Sequence, residues 1–318
     1  MQESLWTVSR DNDGTRLDKF LAHPSRLGSR ARAAVAIDGG RVYVNGAVAE
    51  HAAVRLTPGS KVRVWMDKPG SARRIVRSGR RGDLDIVYED DALLVVNKPA
   101  GVLTVPLERK RDVPSVFDWI DTYLRSSGKR RPLVVHRIDQ DTSGVVVFAK
   151  DVASQRRLKA QFKRREPERI YWAVIHGHLT PASGSWRDRL VWDSSAQIQK
   201  ETDARDPHGT DAISDYRTLE TFADASLLEV KLRTGRRNQI RIQAYLRGHS
   251  LLGEQRYTGV PDSRRLIASR RQALHAHRLS FRHPVDDRLL TFEAPPPGDF
   301  ADLLARLRRH RTRGRVAR

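Results

Sequence analysis

Residues 136–144 read His-Arg-Ile-Asp-Gln-Asp-Thr-Ser-Gly, a run packed with ionisable and hydroxyl groups. Two carboxylates, an imidazole, a guanidinium and two hydroxyls sit between apolar runs at 132–135 and 145–149, which read as buried strands. A carboxylate held between strands requires a partner, because an unpaired charge is costly to take out of water. Fixed in that way, Asp139 or Asp141 is suited to attack an electron-poor carbon or to move a proton. Taken alone, composition favours a plainer reading, a solvated turn in which Asp141, Thr142 and Ser143 bond their own backbone and Gly144 turns the chain. The rest of the sequence reverses that preference.

With 318 residues and 39% hydrophobic content, the chain is long enough for two domains with a sizeable core. Lys and Arg number 59 against 38 acidic residues, a net charge of +21 that points to a polyanionic partner. Nucleic acid is favoured over membrane, since no stretch has the apolar length needed to cross a bilayer. The absence of cysteine excludes disulfides, thiolate metal sites and thiol nucleophiles together. The eleven histidines form no His-Glu-x-x-His pattern, so no metal site is expected. Residues 1–15 are polar and partly acidic, unlike a secretory or transit segment, and a cytoplasmic protein is expected.

Periodicity supplies the elements that must position the loop. Residues 16–21 form a short helical segment with Leu17, Phe20 and Leu21 on one face. Ser29 suits the N-cap of a helix reaching Ile37, in which Ala33, Ala34 and Ile37 oppose Arg30 and Arg32. Residues 41–49 spell a hairpin, because Asn45-Gly46 supplies the left-handed residues of a tight turn. A strand at 61–65 follows Pro58-Gly59, and residues 68–83, rich in Gly, Ser and Arg, read as a flexible basic linker.

The second domain, 84–300, opens with strands at 85–89 and 92–97, broken by Lys98-Pro99-Ala100-Gly101. Residues 115–127 read as an amphipathic helix. Ser115 and Asp118 approximate a capping box, Val116, Phe117, Ile120 and Leu124 share a face, and Gly128 stops it. Asp151 caps a basic helix carrying Arg156, Arg157, Lys159, Lys163, Arg164 and Arg165, anchored by Leu158 and Phe162. Strands follow at 170–179, 226–234, 274–281 and 288–293, with a helix at 237–246 ended by Gly248. Residues 186–214 are polar and without a period, and read as loops and edge strands. Residues 301–318 pass from a short amphipathic segment into an Arg-rich basic tail, expected to be mobile.

These blocks carry two resemblances. Residues 1–67, through Arg16-Leu-Asp-Lys-Phe-Leu21, Ser29-Arg30, Gly40-Arg-Val-Tyr-Val-Asn-Gly46 and Pro58-Gly59, resemble the alpha-L RNA-binding domain of S-four type. Residues 136–144 resemble the catalytic motif of RluA-type pseudouridine synthases, His-Arg-Leu-Asp-x-x-Thr-Ser-Gly, with Ile138 in place of Leu. Four further blocks fall in that family's order. They are Tyr88-Glu-Asp-Asp-Ala-Leu-Leu-Val-Val-Asn-Lys-Pro-Ala-Gly-Val102, Tyr171-Trp-Ala-Val-Ile-His-Gly177, Leu232-Arg-Thr-Gly-Arg-Arg-Asn-Gln-Ile-Arg241 and Gln272-Ala-Leu-His-Ala-His-Arg-Leu-Ser-Phe281.

The resemblance implies an α+β protein, a mixed, largely antiparallel catalytic sheet preceded by a small α+β RNA-binding domain. It implies an RNA uridine isomerase that breaks the C1′–N1 bond, turns the uracil and rejoins it through C5. No redox change or group donor enters, so no cofactor is expected. Asp139 is implied as the catalytic carboxylate, by attack at C1′ or through a glycal-type intermediate, while Asp141 takes a turn or solvent role. Tyr171 is implied against the target uracil and Arg241 as the partner of Asp139, with bidentate geometry fixing the carboxylate plane. Arg137 is implied to occupy the space left by a flipped base, and His136, Ile240 and Arg236 to help hold substrate; Lys19, Arg30, Arg32 and Arg41 are the expected RNA contacts of the first domain. Ribosomal RNA is the favoured partner of an expected monomer. The alternatives are transfer RNA and a non-catalytic RNA-binding or ribosome-assembly protein. Asn238 and Gln243 stand where the family usually has His, and Gly253-Glu254 where Gly-Asp is usual; these departures are expected to bear on substrate more than on reaction.

Overall fold

The computed structural model describes residues 3–38, 41–49, 51–65, 79–81, 84–107, 113–126, 131–258 and 269–316. The chain divides into two compact units, residues 1–77 with 89–91, and residues 78–88 with 92–318.

In the first unit, strand β1 (Glu3–Thr7) precedes helices α1 (Leu17–Leu21) and α2 (Arg30–Asp38) and strands β2 (Val42–Val44), β3 (Ala47–Val48) and β4 (Lys61–Trp65). The antiparallel sheet runs in the order β1-β4-β2-β3. Leu17, Phe20 and Leu21 bury the face their spacing predicts, against Ala33, Ile37, Val42, Val62 and Val64. Ser29 Oγ accepts from Arg32 N–H as the α2 N-cap, and Asn45 (φ 53°) and Gly46 (φ 85°) make the left-handed hairpin turn. Strand β1 lies within residues 1–15, whose polarity carries no strand signal.

The second unit contains β5 (Gly79–Arg81), β6 (Leu84–Glu89), β7 (Leu93–Lys98), α3 (Val116–Ser126), β8 (Leu133–Val134), β9 (Ser143–Ala149), α4 (Val152–Arg164), β10 (Glu168–His176), β11 (Ser183–Asp193), β12 (Ile198–Glu201), β13 (Thr210–Thr221), β14 (Ala225–Leu232), α5 (Gln239–Leu246), β15 (Leu274–Arg282), β16 (Leu289–Glu293) and α6 (Gly298–Val316). Its twelve strands form one sheet, ordered β12-β11-β13-β14-β10-β15-β9-β7-β6-β5, with β16 on β15 and β8 on β9. The β15–β9 pair is parallel, in a sheet otherwise largely antiparallel. The fold is therefore α+β with a mixed, largely antiparallel sheet, as expected. Strand β9, buried along its whole length, pairs with β7, β8 and β15. The β9–β15 register places Gly144 (φ +118°) opposite Ala276, where a Cβ would lie 2.1 Å from the Ala276 carbonyl oxygen; only glycine fits that approach.

Three segments depart from the sequence reading. Residues 183–221 are not mainly loops but long paired strands, with β12 at the sheet edge. Within the expected linker, Gly79–Arg81 pair with β6; residues 68–78 and 82–83, like Gly128, lie outside the described residues. The expected basic tail continues helix α6, whose Phe300, Leu303, Leu304 and Leu307 are buried with Phe222 and Leu252. Among the described residues no helix is long and apolar enough to cross a membrane.

Candidate active site

Residues 135–142 cross from β8 to β9 and are clamped from the side by the turn after β7. Lys98, fully buried, donates from Nζ to the carbonyls of Pro99 (2.8 Å), Val102 (2.7 Å) and Gln140 (2.7 Å). Its three donors are thereby matched to three acceptors. Burial pulls Lys98 down to about 7, opposed by the charges of Asp141 and Asp139. Gly101 N–H donates to the Gln140 carbonyl at 3.0 Å, and Thr104 Oγ1 both donates to the Ile138 carbonyl (2.8 Å) and accepts from its N–H (3.3 Å). The two residues flanking Asp139 are thus fixed through their backbones.

His136 ties the start of the loop to the sheet. Its Nε2 accepts from Val147 N–H at 3.1 Å, so that nitrogen carries no proton, and the ring stacks on Phe162 at 4.7 Å. Burial, and secondarily the Arg169 charge, lower His136 to about 3, consistent with a neutral imidazole. Its place is structural support for the loop, alongside a contribution to the cavity wall.

Asp139 receives two donors on a single oxygen. Asn238 Nδ2 donates to Oδ2 at 2.7 Å and Arg241 Nη1 at 3.4 Å; among the described residues Oδ1 has no partner. The expected bidentate grip of Arg241 on Asp139 is not formed. Instead the Arg241 fork engages Glu254, Nε to Oε2 and Nη2 to Oε1, each at 2.6 Å, with Glu254 side chain 1% and Arg241 7% exposed. A buried fork–fork pair fixes both planes, leaving one Arg241 nitrogen for Asp139. Against the effect of burial, Glu254 and then Asp139 hold Arg241 above its ordinary value, and Arg241 holds Glu254 below its own. Glu254 Oε1 also accepts from the Gln255 and Arg256 N–H groups, at 3.0 and 2.8 Å.

Helix α5 starts where this geometry requires it. Asn238, at φ 54°, occupies the α5 N-cap position but turns its side chain to Asp139 and not to the helix. Gln239 accepts from Arg236 N–H (2.9 Å) and Thr234 Oγ1 (2.8 Å), and Gln243 donates to Asp188 (2.7 Å) and the Ala212 carbonyl (3.0 Å). Gln243 therefore anchors α5 to β11 and β13. None of the three departures from the family pattern is idle: Asn238 holds Asp139, Gln243 holds the helix, and Glu254 holds Arg241.

Tyr171 and Arg169, two residues apart on β10, share one face of the strand and line the same cavity as Asp139, a space of about 510 Å³. Burial raises the Tyr171 phenol to about 12, partly offset by Arg169 and reinforced by Asp139. Of the other expected residues, Ile240 is buried in the cavity wall, Arg137 is exposed at its edge, and Arg236 is half-buried with Nε donating to the Asp211 carbonyl. Asp141 lies outside the lining, and its carbonyl accepts from Arg271. In the first unit Lys19 and Arg32 are exposed and Arg41 is half-buried, but Arg30 is tied to Asp18 at 2.7 Å. Asp18, held well below the usual carboxylate range by Arg16 and Arg30, serves the fold there. Asn238 and Glu254 are the site residues that sequence reasoning missed. An acid after the apolar Leu251-Leu252-Gly253, in a chain needing a partner for a buried arginine, was the available signal for Glu254.

Known proteins are similar to this chain in sequence and in fold. The family model described as RNA pseudouridylate synthase matches residues 92–245, and the S4 domain matches residues 15–62. An uncharacterized RNA pseudouridine synthase of Bacillus subtilis, YlyB, is 34% identical over 307 residues, 96% of this chain and 98% of that one. Ribosomal large subunit pseudouridine synthase D of Salmonella typhimurium is 34% identical over 311 residues, 95% of this chain and 93% of its own. Human RNA Pseudouridylate Synthase Domain Containing 4 matches in structure with a TM-score of 0.57 at 23% identity, over 70% of this chain and 92% of that one, a likeness of fold. With the sequence matched nearly end to end and the fold alike, the chain belongs to the RluA-type RNA pseudouridine synthases, isomerases of RNA uridine, and carries an S4 domain ahead of its catalytic unit.

Proposed function

We propose that this synthase acts on large-subunit ribosomal RNA, as a cytoplasmic monomer without a cofactor, with Asp139, Tyr171 and Arg241 as its catalytic set. The observation that carries this reading is the asymmetry at Asp139: both donors meet on Oδ2, and Oδ1 is left for substrate. The carboxylate is about a quarter exposed, at a cavity large enough for one base. A uridine in folded RNA must leave its stack to enter, and Arg137 at the cavity edge is placed to fill the gap with a planar cation. There the C1′–N1 bond breaks with its electron pair on N1, and Oδ1 attacks C1′. The uracil turns, C5 bonds to C1′ as the Asp139 ester bond breaks, C5 gives up its hydrogen as a proton, and N1 takes a proton. Atoms and charge balance with no other reactant. Tyr171, with its phenol near 12, is ionised in only about one molecule in 10⁵ at pH 7. It serves as a neutral wall for the uracil, not as the standing base. The choice of ribosomal RNA follows the names of relatives such as the Salmonella enzyme.

The test is to map pseudouridines in RNA from cells with and without the gene, complementing with wild type or Asp139→Ala. A large-subunit site lost on deletion, restored by wild type and not by the variant, is expected. Restoration by Asp139→Ala refutes the catalytic assignment, and a lost site in transfer RNA alone refutes the substrate.

A further inference from the structure

Cations crowd one wall of the cavity, and among the described residues none of them is in a salt bridge with a carboxylate. Lys163, Arg165, Arg169 and Arg236 line it, and the acid among the lining residues is Asp139, already engaged by Asn238 and Arg241. Nearby acids are committed elsewhere: Glu166 to Arg164, Glu168 to Lys231 and Asp211 to Arg189.

Arg169 is the most telling of the group. Its Nη2 donates to the Thr234 carbonyl at 3.2 Å, while Nε is buried without a partner among the described residues. The Phe162 ring, 5.8 Å from Cζ, offers a weak cation–π contact and no counter-charge. The guanidinium reaches the cavity across Gly235, where a Cβ would come within 2.4 Å of Nη1, so the chain leaves a passage for this side chain. Burial lowers Arg169, and Arg165 acts in the same direction against Tyr171; burial and then Arg165 likewise lower Arg236, against Asp211. Arg165 stands close enough to repel both. It is held at the end of α4 in a left-handed conformation (φ 61°), which a non-glycine residue adopts at a cost. Like charges gathered in a half-buried place are unfavourable until an anion joins them.

We infer that Arg165, Arg169 and Arg236 form a subsite for a backbone phosphate of the nucleotide whose base enters the cavity. The inference rests on the reading of RNA as substrate. Planar guanidinium forks match the paired oxygens of a phosphodiester, and one bridging anion relieves the repulsion among all three. The phosphate would be seated along the wall that carries Tyr171, two residues from Arg169. Ribose and base would then be fixed from two sides, by the phosphate and by the Tyr171 wall, before Asp139 meets C1′.

Inorganic phosphate is the simplest probe. In the full chain, the buried Arg169 Nε–H is shielded from exchange with water, so its NMR signal can report the subsite directly. Phosphate is expected to shift that signal saturably in wild type. Arg165→Gln, at an exposed position where folding is not at stake, is expected to raise the half-saturating phosphate several-fold. With a large-subunit rRNA transcript, the same variant should make the log–log decline of affinity with salt shallower by about 0.7, the contribution of one phosphate on a single strand. No saturable shift in wild type, or an unchanged phosphate and salt dependence in Arg165→Gln, overturns the subsite even if the enzyme is active. A normal shift with no pseudouridine formed in any RNA upholds the subsite and removes the proposed function instead.

Discussion

At the scale of single residues, the site is built around one carboxylate oxygen. Asn238 and one nitrogen of Arg241 donate to Asp139 Oδ2, and the shorter bond belongs to Asn238. Asn238→Ala should therefore slow single-turnover conversion by about 10–100-fold, the value of one hydrogen bond to a charged group, while RNA affinity changes little; wild-type rates would remove Asn238 from the site. Glu254→Gln should cost the second unit about 3–5 kcal/mol in denaturant unfolding, because it leaves the Arg241 charge buried without its partner. An unchanged unfolding midpoint would mean that Asp139 alone suffices. Tyr171 sets a pH signature. Its folded value near 12 lies above the unfolded value near 10, so its contribution to stability is complete below pH 10 and is lost as pH rises from 10 towards 12. Burial raises Tyr257 as well, so ultraviolet titration should show late-ionising tyrosines, and Tyr171→Phe should remove one of them, the latest step. Asp139, Tyr171 and Arg241 were legible because the family pattern marks their positions. Asn238 and Glu254 were not, because they break that pattern, and their value appears only where the fold brings distant residues together, as it does Asn238 and Asp139.

At the scale of elements, helix α6 is joined to the loop at 135–142 through Arg271. Its guanidinium pairs with Asp299 (2.6 and 3.1 Å) in the first turn of α6 and donates to the Asp141 carbonyl (2.8 Å) and Ser143 Oγ (3.3 Å). A second link runs from Ser143 Oγ to His275 Nδ1 (3.0 Å) and from His275 Nε2 to the Ala294 carbonyl (3.0 Å); His275, kept neutral by burial at about 4, donates to the carbonyl and accepts from the serine. Deleting residues 298–318 would uncover the surface under Phe300, Leu303, Leu304 and Leu307, at most about 6–12 kcal/mol of burial, comparable to the stability of a whole domain. The truncated chain should lose its cooperative thermal transition. A melt like that of the full chain would restore these residues to the status of a dispensable tail. The i, i+3, i+4, i+7 spacing of those four residues was present in the sequence, but the arginines that follow masked it. Strands β11 and β13 were hidden for another reason: many of their residues are polar or charged and exposed, so no apolar run marks them. The hairpin of β2 and β3, the caps at Ser115 and Asp151, and strand β9 were readable because local chemistry alone decides them.

At the scale of the molecule, a net charge of +21 makes attraction to RNA general, so position in the fold decides which cations matter to which step. In the S4 unit, Lys19 and Arg32 are exposed and Arg41 half-buried, whereas Arg30 is bound to Asp18 and supports the fold. Replacing Lys19, Arg32 and Arg41 together by Gln should weaken binding to a large-subunit rRNA transcript. Its salt dependence should flatten by about 0.9 for each duplex phosphate that the variant no longer neutralises. On the proposed division, with these cations serving capture and the cavity serving chemistry, the effect should fall far more on the half-saturating RNA concentration than on the single-turnover rate once RNA is bound. Arg30→Gln should differ in kind, lowering the stability of the first unit by weakening the pairing of Asp18, along with any effect on RNA. Should the triple variant bind with wild-type affinity and salt slope, the S4 unit does not hold RNA through this face. Should it instead slow the bound step as severely as Asn238→Ala, capture and chemistry are not divided between the two units.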